Sequence, residues 1–136
     1  MSEKRSPRLL LFLIISVVIF LSCCSSRLSR QDLIEIEKMG WKEKAERALF
    51  FANRRELNKS IQVYEMIIRS PGVPLKQAAW ARYEIGFCYR IMKKYEQALK
   101  NFKMVLKIYL DDSARPVRIM AKRQIKKLES KKYQGI

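Results

Sequence analysis

Histidine is missing altogether from the 136 residues, so the commonest general base and metal ligand near neutral pH has no representative. Glycine and proline occur four times each, and neither a glycine-rich phosphate loop nor a nucleophile elbow is present. Of three cysteines, Cys23 and Cys24 are adjacent near the N-terminus and Cys88 stands alone. That excludes an intrachain disulfide in the body and any paired-cysteine metal spacing. The alternation of apolar and polar residues that marks a half-buried strand occurs nowhere. Acidic residues are scarce, 13 against 29 Lys and Arg, for a formal net charge of +16. The adjacent carboxylates Asp111-Asp112 lie between two helical stretches and read as a helix cap. The expectation is an all-α, non-catalytic chain with no cofactor and no metal.

What is present centres on residues 77 to 110. Trp80, Tyr83, Ile85, Gly86, Phe87, Tyr89 and Ile91 fall on one helical stretch. Tyr95, Ala98, Leu99, Phe102, Val105, Leu106 and Tyr109 fall on a second, apolar at spacings of three and four. Met92-Lys93-Lys94 between them is too short for anything but an antiparallel hairpin. Ile85-Gly86-x2-Tyr89 followed by Ala98-x3-Phe102 resembles the tetratricopeptide (TPR) repeat. The physics of that pattern is size. Gly86 lets two helices approach at a cost of about 1 kcal/mol in helix propensity, Ala98 receives the first helix, and Tyr89 and Phe102 fill the space beside them. Arg82 stands where the family often has Trp, and Leu110 where it often has Pro.

A shift of 38 residues finds a second, weaker copy upstream. It pairs Ala48 with Gly86, Phe51 with Tyr89, Ser60 with Ala98, Tyr64 with Phe102 and Ile67 with Val105. Small matches small and large matches large, although Arg47 replaces Ile85. The interval exceeds the usual TPR length, and Ser70-Pro71-Gly72-Val73-Pro74-Leu75 supplies the longer loop. Residues 113 to 128 add one unpaired helix, suited to covering the last open face of a stack. Val117, Met120, Ile125 and Leu128 form its expected buried side. The fold class is therefore a TPR-like α-solenoid of about two helical hairpins plus a C-terminal capping helix, after an N-terminal apolar signal helix.

That N-terminal segment opens on Lys4, Arg5 and Arg8, continues with an apolar run from Leu9 to Leu21, and reaches Ser22-Cys23-Cys24. A basic start, an apolar core and small residues before a cut describe an export signal, and the run falls short of the roughly 20 apolar residues of a spanning helix. Small residues followed by Cys resemble the bacterial lipoprotein signal, which implies acylation of Cys23 or Cys24. Cys23 has the better small residue beside the cut, while Cys24 has Leu21 three residues ahead. The division of the chain is then a signal peptide at 1–23, a polar tether at 24–31, a helical domain at 32–129 and a basic flexible tail at 130–136. Ser29 with Asp32 marks the first helix start, Gly40 is a possible break, and Asn58 is a candidate cap.

Removing residues 1–23 takes away three cations and one anion, so +16 becomes +14. Arg115, Arg118, Lys122, Arg123, Lys126, Lys127, Lys131 and Lys132 crowd the last helix and tail. Such a stretch favours anionic surfaces: lipid head groups, acidic wall polymers or an acidic partner. No nucleic-acid motif is present. The TPR resemblance implies a concave groove lined by the first helix of each hairpin, which selects Trp80, Tyr83, Phe87 and Arg90 in the second repeat. Lys42, Leu49 and Asn53 are their counterparts in the first. Aromatic and Arg side chains are favoured at binding hot spots. The expectation is a lipid-anchored adaptor in the bacterial cell envelope, facing the periplasm or exterior and holding a protein or peptide partner. The alternative is a structural basic linker between the membrane and an anionic surface.

Overall fold

The computed structural model describes residues 26–133, and within them every regular element is a helix. The helices are α1 (Arg30–Glu37), α2 (Trp41–Asn53), α3 (Leu57–Arg69), α4 (Leu75–Ile91), α5 (Tyr95–Ile108) and α6 (Arg115–Tyr133). A 3-10 turn (Asp112–Ala114) leads into α6. The segment expected as a signal peptide, with Cys23 and Cys24, and residues 134–136 lie outside the described residues. No helix among those described is long and apolar enough to cross a membrane.

The middle helix α4 is apolar on two sides because it closes two cores. Ala81, Ile85 and Cys88 join one cluster with Ala48, Phe51, Ile61, Val63, Tyr64 and Ile67 of α2 and α3. Ala78, Ala79 and Tyr83 join another with Ala98, Phe102 and Val105 of α5 and Val117, Ala121 and Leu128 of α6. Packing runs from each helix to the next along the chain, α2 on α3, α3 on α4, α4 on α5, α5 on α6.

The small residues sit where the repeat requires them. Gly86, Ala98, Ala48 and Ser60 are all buried. A Cβ on Gly86 would come within 2.8 Å of Cε1 and 2.9 Å of Cδ1 of Phe102, so the glycine is what allows α4 and α5 to meet. In the first hairpin Ser60 Oγ donates to the Ala48 carbonyl at 2.8 Å, joining α3 to α2 at the equivalent seam.

The two hairpin turns repeat at the same 38-residue offset. Glu56 N–H donates to the Phe51 carbonyl at 2.9 Å, and Lys94 N–H to the Tyr89 carbonyl at 2.9 Å. Arg55 and Lys93 take left-handed backbone, φ 64° and 60°, where glycine is the usual choice.

Some sequence expectations need adjustment. Gly40 does break the helix: its N–H donates to Glu43 Oε2 at 2.9 Å and α2 begins at Trp41. Asn58 is not a cap, because α3 already starts at Leu57. The segment expected as a tether is partly folded: Leu28 is buried, its N–H donates to Gln62 Oε1 at 3.1 Å, and α1 starts at Arg30 with Ser29 and Asp32 in a reciprocal cap. At the other end α6 continues to Tyr133, beyond the expected boundary at Glu129, since no Gly or Pro interrupts the chain before Gly135. Asp111 caps the 3-10 turn, accepting the Ser113 N–H at 2.8 Å, and this holds its carboxyl below the usual carboxylate range.

Candidate binding surface

Along α4 the residues Trp80, Tyr83, Phe87 and Arg90 are spaced by three and four, so they share one face of the helix. Their rings form a continuous line. Trp80 and Tyr83 lie 5.7 Å apart, Tyr83 and Phe87 are stacked at 6.4 Å, and the Arg90 guanidinium sits 4.5 Å over the Phe87 ring. Contacts of this kind add about 0.5–1.5 kcal/mol each beyond area burial and restrict the rotamers of their members.

The helix α6 docks over the middle of that line. Gln124 accepts from Arg90 Nη1 at 3.0 Å and donates from Nε2 to the Tyr83 hydroxyl at 3.3 Å. Tyr83 also meets Phe102 at 5.4 Å and is only 4% exposed. Tyr83 is therefore a core residue and not an open groove side chain, because the capping helix covers it. Burial raises its hydroxyl pKa. Trp80 is different, with 40% of its surface open. Phe87 and Arg90 are half-buried. The surface left to a partner is thus a Trp80 edge beside a fixed Phe87–Arg90 pair.

The first hairpin presents its counterparts separately. Lys42 is exposed with its ammonium 5.6 Å over the Trp41 ring, Leu49 is 54% exposed, and Asn53 is exposed at the end of α2. Sequence reasoning missed Phe50, which is 47% exposed and flanked by the guanidinium groups of Arg47 at 5.6 Å and Arg54 at 5.3 Å. Spacing alone gave no reason to single it out, since buried Phe51 beside it satisfies the repeat.

One buried and one half-buried charged side chain were also missed. Lys44 is buried with Nζ donating to the Glu37 carbonyl at 3.3 Å and to Ser70 Oγ at 3.1 Å, tying the α1 end to the α3 end. Glu84 lies half-buried on α4, and desolvation raises its pKa. Cys88 is buried, with Sγ 3.9 Å from Ser60 Oγ and its thiol pushed up to about 11. A thiol so seldom ionised is a packing residue. Among the described residues no group of three or more His, Cys, Asp or Glu gathers where a metal could sit.

A stack of helical hairpins with small residues in its seams is a repeat-type helical architecture. The family profile described as tetratricopeptide repeat matches residues 79–112, most of α4 and all of α5. No curated protein and no solved structure matches the chain. A TPR repeat is therefore present at 79–112, and the all-helical fold around it agrees with a TPR-like array. Repeats of this family generally mediate protein–protein interaction.

Proposed function

We propose that the chain is a non-catalytic, lipid-anchored TPR adaptor of the bacterial cell envelope, which holds a protein or peptide partner close to a membrane surface. The observation that carries the binding half is the α4 line of Trp80, Tyr83, Phe87 and Arg90. Its buried member fixes the exposed ones, and a side chain already held in place loses little entropy when a partner covers it. The anchor half is supported by the sequence: the basic start, the run from Leu9 to Leu21, and Cys23-Cys24 behind it.

The binding test is peptide display against the full chain, repeated with Trp80→Ala and with Arg90→Ala. The wild type should enrich a peptide class that both variants lose while keeping wild-type helicity. Equal enrichment by all three proteins would sink the assignment. The rival, a basic linker without peptide specificity, expects no enriched class and binding that fades with salt. The anchor test is metabolic labelling with palmitate in Cys23→Ala and Cys24→Ala chains. One substitution should abolish the label, and a wild type that takes none would remove the anchor.

A further inference from the structure

The charge excess is uneven. From Ser26 to Pro74 ten Lys and Arg stand against seven Asp and Glu, whereas from Leu75 to Tyr133 sixteen stand against five. The basic end is the last helix, α6. It packs on α5 and α4, at the opposite end of the stack from α1.

On α6, Val117, Ala121 and Leu128 are buried, with Met120 and Ile125 partly so. With 3.6 residues per turn, the opposite side carries Arg115, Ile119, Lys122, Arg123 and Lys126, all exposed. Within the described residues none of these four cations makes an ion pair. The one acidic residue of α6, Glu129, is already held by Lys103 Nζ at 3.2 Å. Arg118 is occupied with the Tyr109 carbonyl at 3.1 Å and does not belong to this side.

Such an arrangement weakens its own helix. Lys122 and Lys126, four apart, and Arg123 and Lys126, three apart, repel one another. A surface needed only for solubility is better made of both signs. One sign with an apolar residue in its midst suits a lipid interface, where head-group phosphates neutralise the cations and the apolar side chain reaches the acyl boundary. Ile119, 44% exposed between Arg115 and Arg123, is that residue. From Arg115 to Ser130 this helix carries no aromatic residue to stack against bases, which argues against single-stranded nucleic acid.

We propose that the exposed side of α6, through Arg115, Lys122, Arg123 and Lys126 around Ile119, docks on an anionic phospholipid bilayer. The site is separate from the α4 surface and stands whether or not that surface takes a peptide.

The test holds the full chain, by its N-terminal run, in immobilised phosphatidylcholine vesicles. It then reads capture of free, labelled vesicles made of equimolar phosphatidylcholine and phosphatidylglycerol. The wild type should capture these and not free vesicles of phosphatidylcholine alone. Lys122→Gln, Arg123→Gln and Lys126→Gln together should weaken capture on the order of a hundredfold, at about fivefold per charge. Arg30→Gln, Lys38→Gln and Lys76→Gln, which remove the same charge at exposed positions elsewhere, should leave most of it. Ile119→Ser should cost several-fold. Where the chain does not stay on the immobilised vesicles, the anchor reading fails by itself, and flotation of the free chain with the mixed vesicles reads the α6 surface directly. No preference for the anionic vesicles, or an equal loss in both triple variants, overturns the proposal. So does complete competition by a single-stranded oligonucleotide at matched phosphate.

Discussion

The two hairpins share a backbone and differ in what fills it. Their turns match at an offset of 38 residues, down to the left-handed residue and the 2.9 Å bond that closes each helix end. The seams differ. In the second hairpin Gly86 and Ala98 make room for a fully buried Phe102. In the first, Ala48 and Ser60 are joined by a hydroxyl-to-carbonyl bond. Where the second buries Ile85, the first has Arg47, whose guanidinium lies 5.4 Å over Phe51 and whose Nε is buried without a partner. The first hairpin has the geometry of the second without its signature side chains. This explains why the family profile matches 79–112 while the chain folds a like hairpin over α2 and α3.

The strongest way to break the comparison is to empty each seam. Phe102→Ala should cost about 3–5 kcal/mol in denaturant unfolding, with Tyr64→Ala, its counterpart, near the lower end of that range. If Tyr64→Ala costs as much as Phe102→Ala, the two seams are equally packed and do not differ.

Next comes the close approach itself. Gly86→Ala gains helix propensity of about 1 kcal/mol, yet its Cβ would lie 2.8 Å from the fully buried Phe102 ring. A net loss of about 1–3 kcal/mol is expected. Adding Phe102→Leu should return part of that loss, as coupled neighbours do. Net stabilisation by Gly86→Ala alone would show that the ring yields.

Exchanging the seam chemistry is a finer test. Ser60→Ala removes a buried hydrogen bond and should cost about 1 kcal/mol. Ala98→Ser should be nearly neutral if the Gly86 carbonyl can accept the new hydroxyl as Ala48 accepts Ser60, and strongly destabilising if the seams diverge in backbone. The turns offer an equality: Arg55→Gly and Lys93→Gly should each stabilise by about 0.5–1 kcal/mol and by the same amount, since both relieve left-handed backbone.

The smallest effect concerns Glu84, whose counterpart Glu46 is exposed. Burial raises the Glu84 carboxyl pKa in the folded chain, so this group favours folding when protonated and opposes it as pH rises through the raised value. Glu84→Gln should therefore melt higher than wild type at neutral pH, with the gap closing as pH falls below the ordinary value of 4.5. Glu46→Gln is the surface control. A gap that widens in acid would reverse the sign and remove the argument.

Much of this was legible beforehand. Residue size at spacings of three and four gave α4 and α5, and one offset carried the pattern back to α2 and α3. Ser29 and Asp32 announced the first helix start. What escaped depends on contacts between distant residues. Lys is rarely buried, and Lys44 is buried only because the fold brings it the Glu37 carbonyl and the Ser70 hydroxyl. Leu28 looks like part of a polar leader until Gln62, 34 residues on, accepts its N–H. From sequence Tyr83 looks open because its cover, Gln124, comes 41 residues later on a helix whose sequence speaks mainly of charge.

The end-to-end order of packing has a kinetic side. From α2 onward each helix rests chiefly on its neighbours along the chain, so few native contacts require distant stretches to find one another. Such a topology folds quickly and can be built or dismantled from either terminus, helix by helix. A chain that has to be threaded through a narrow passage before it works would then need only brief protection on the far side.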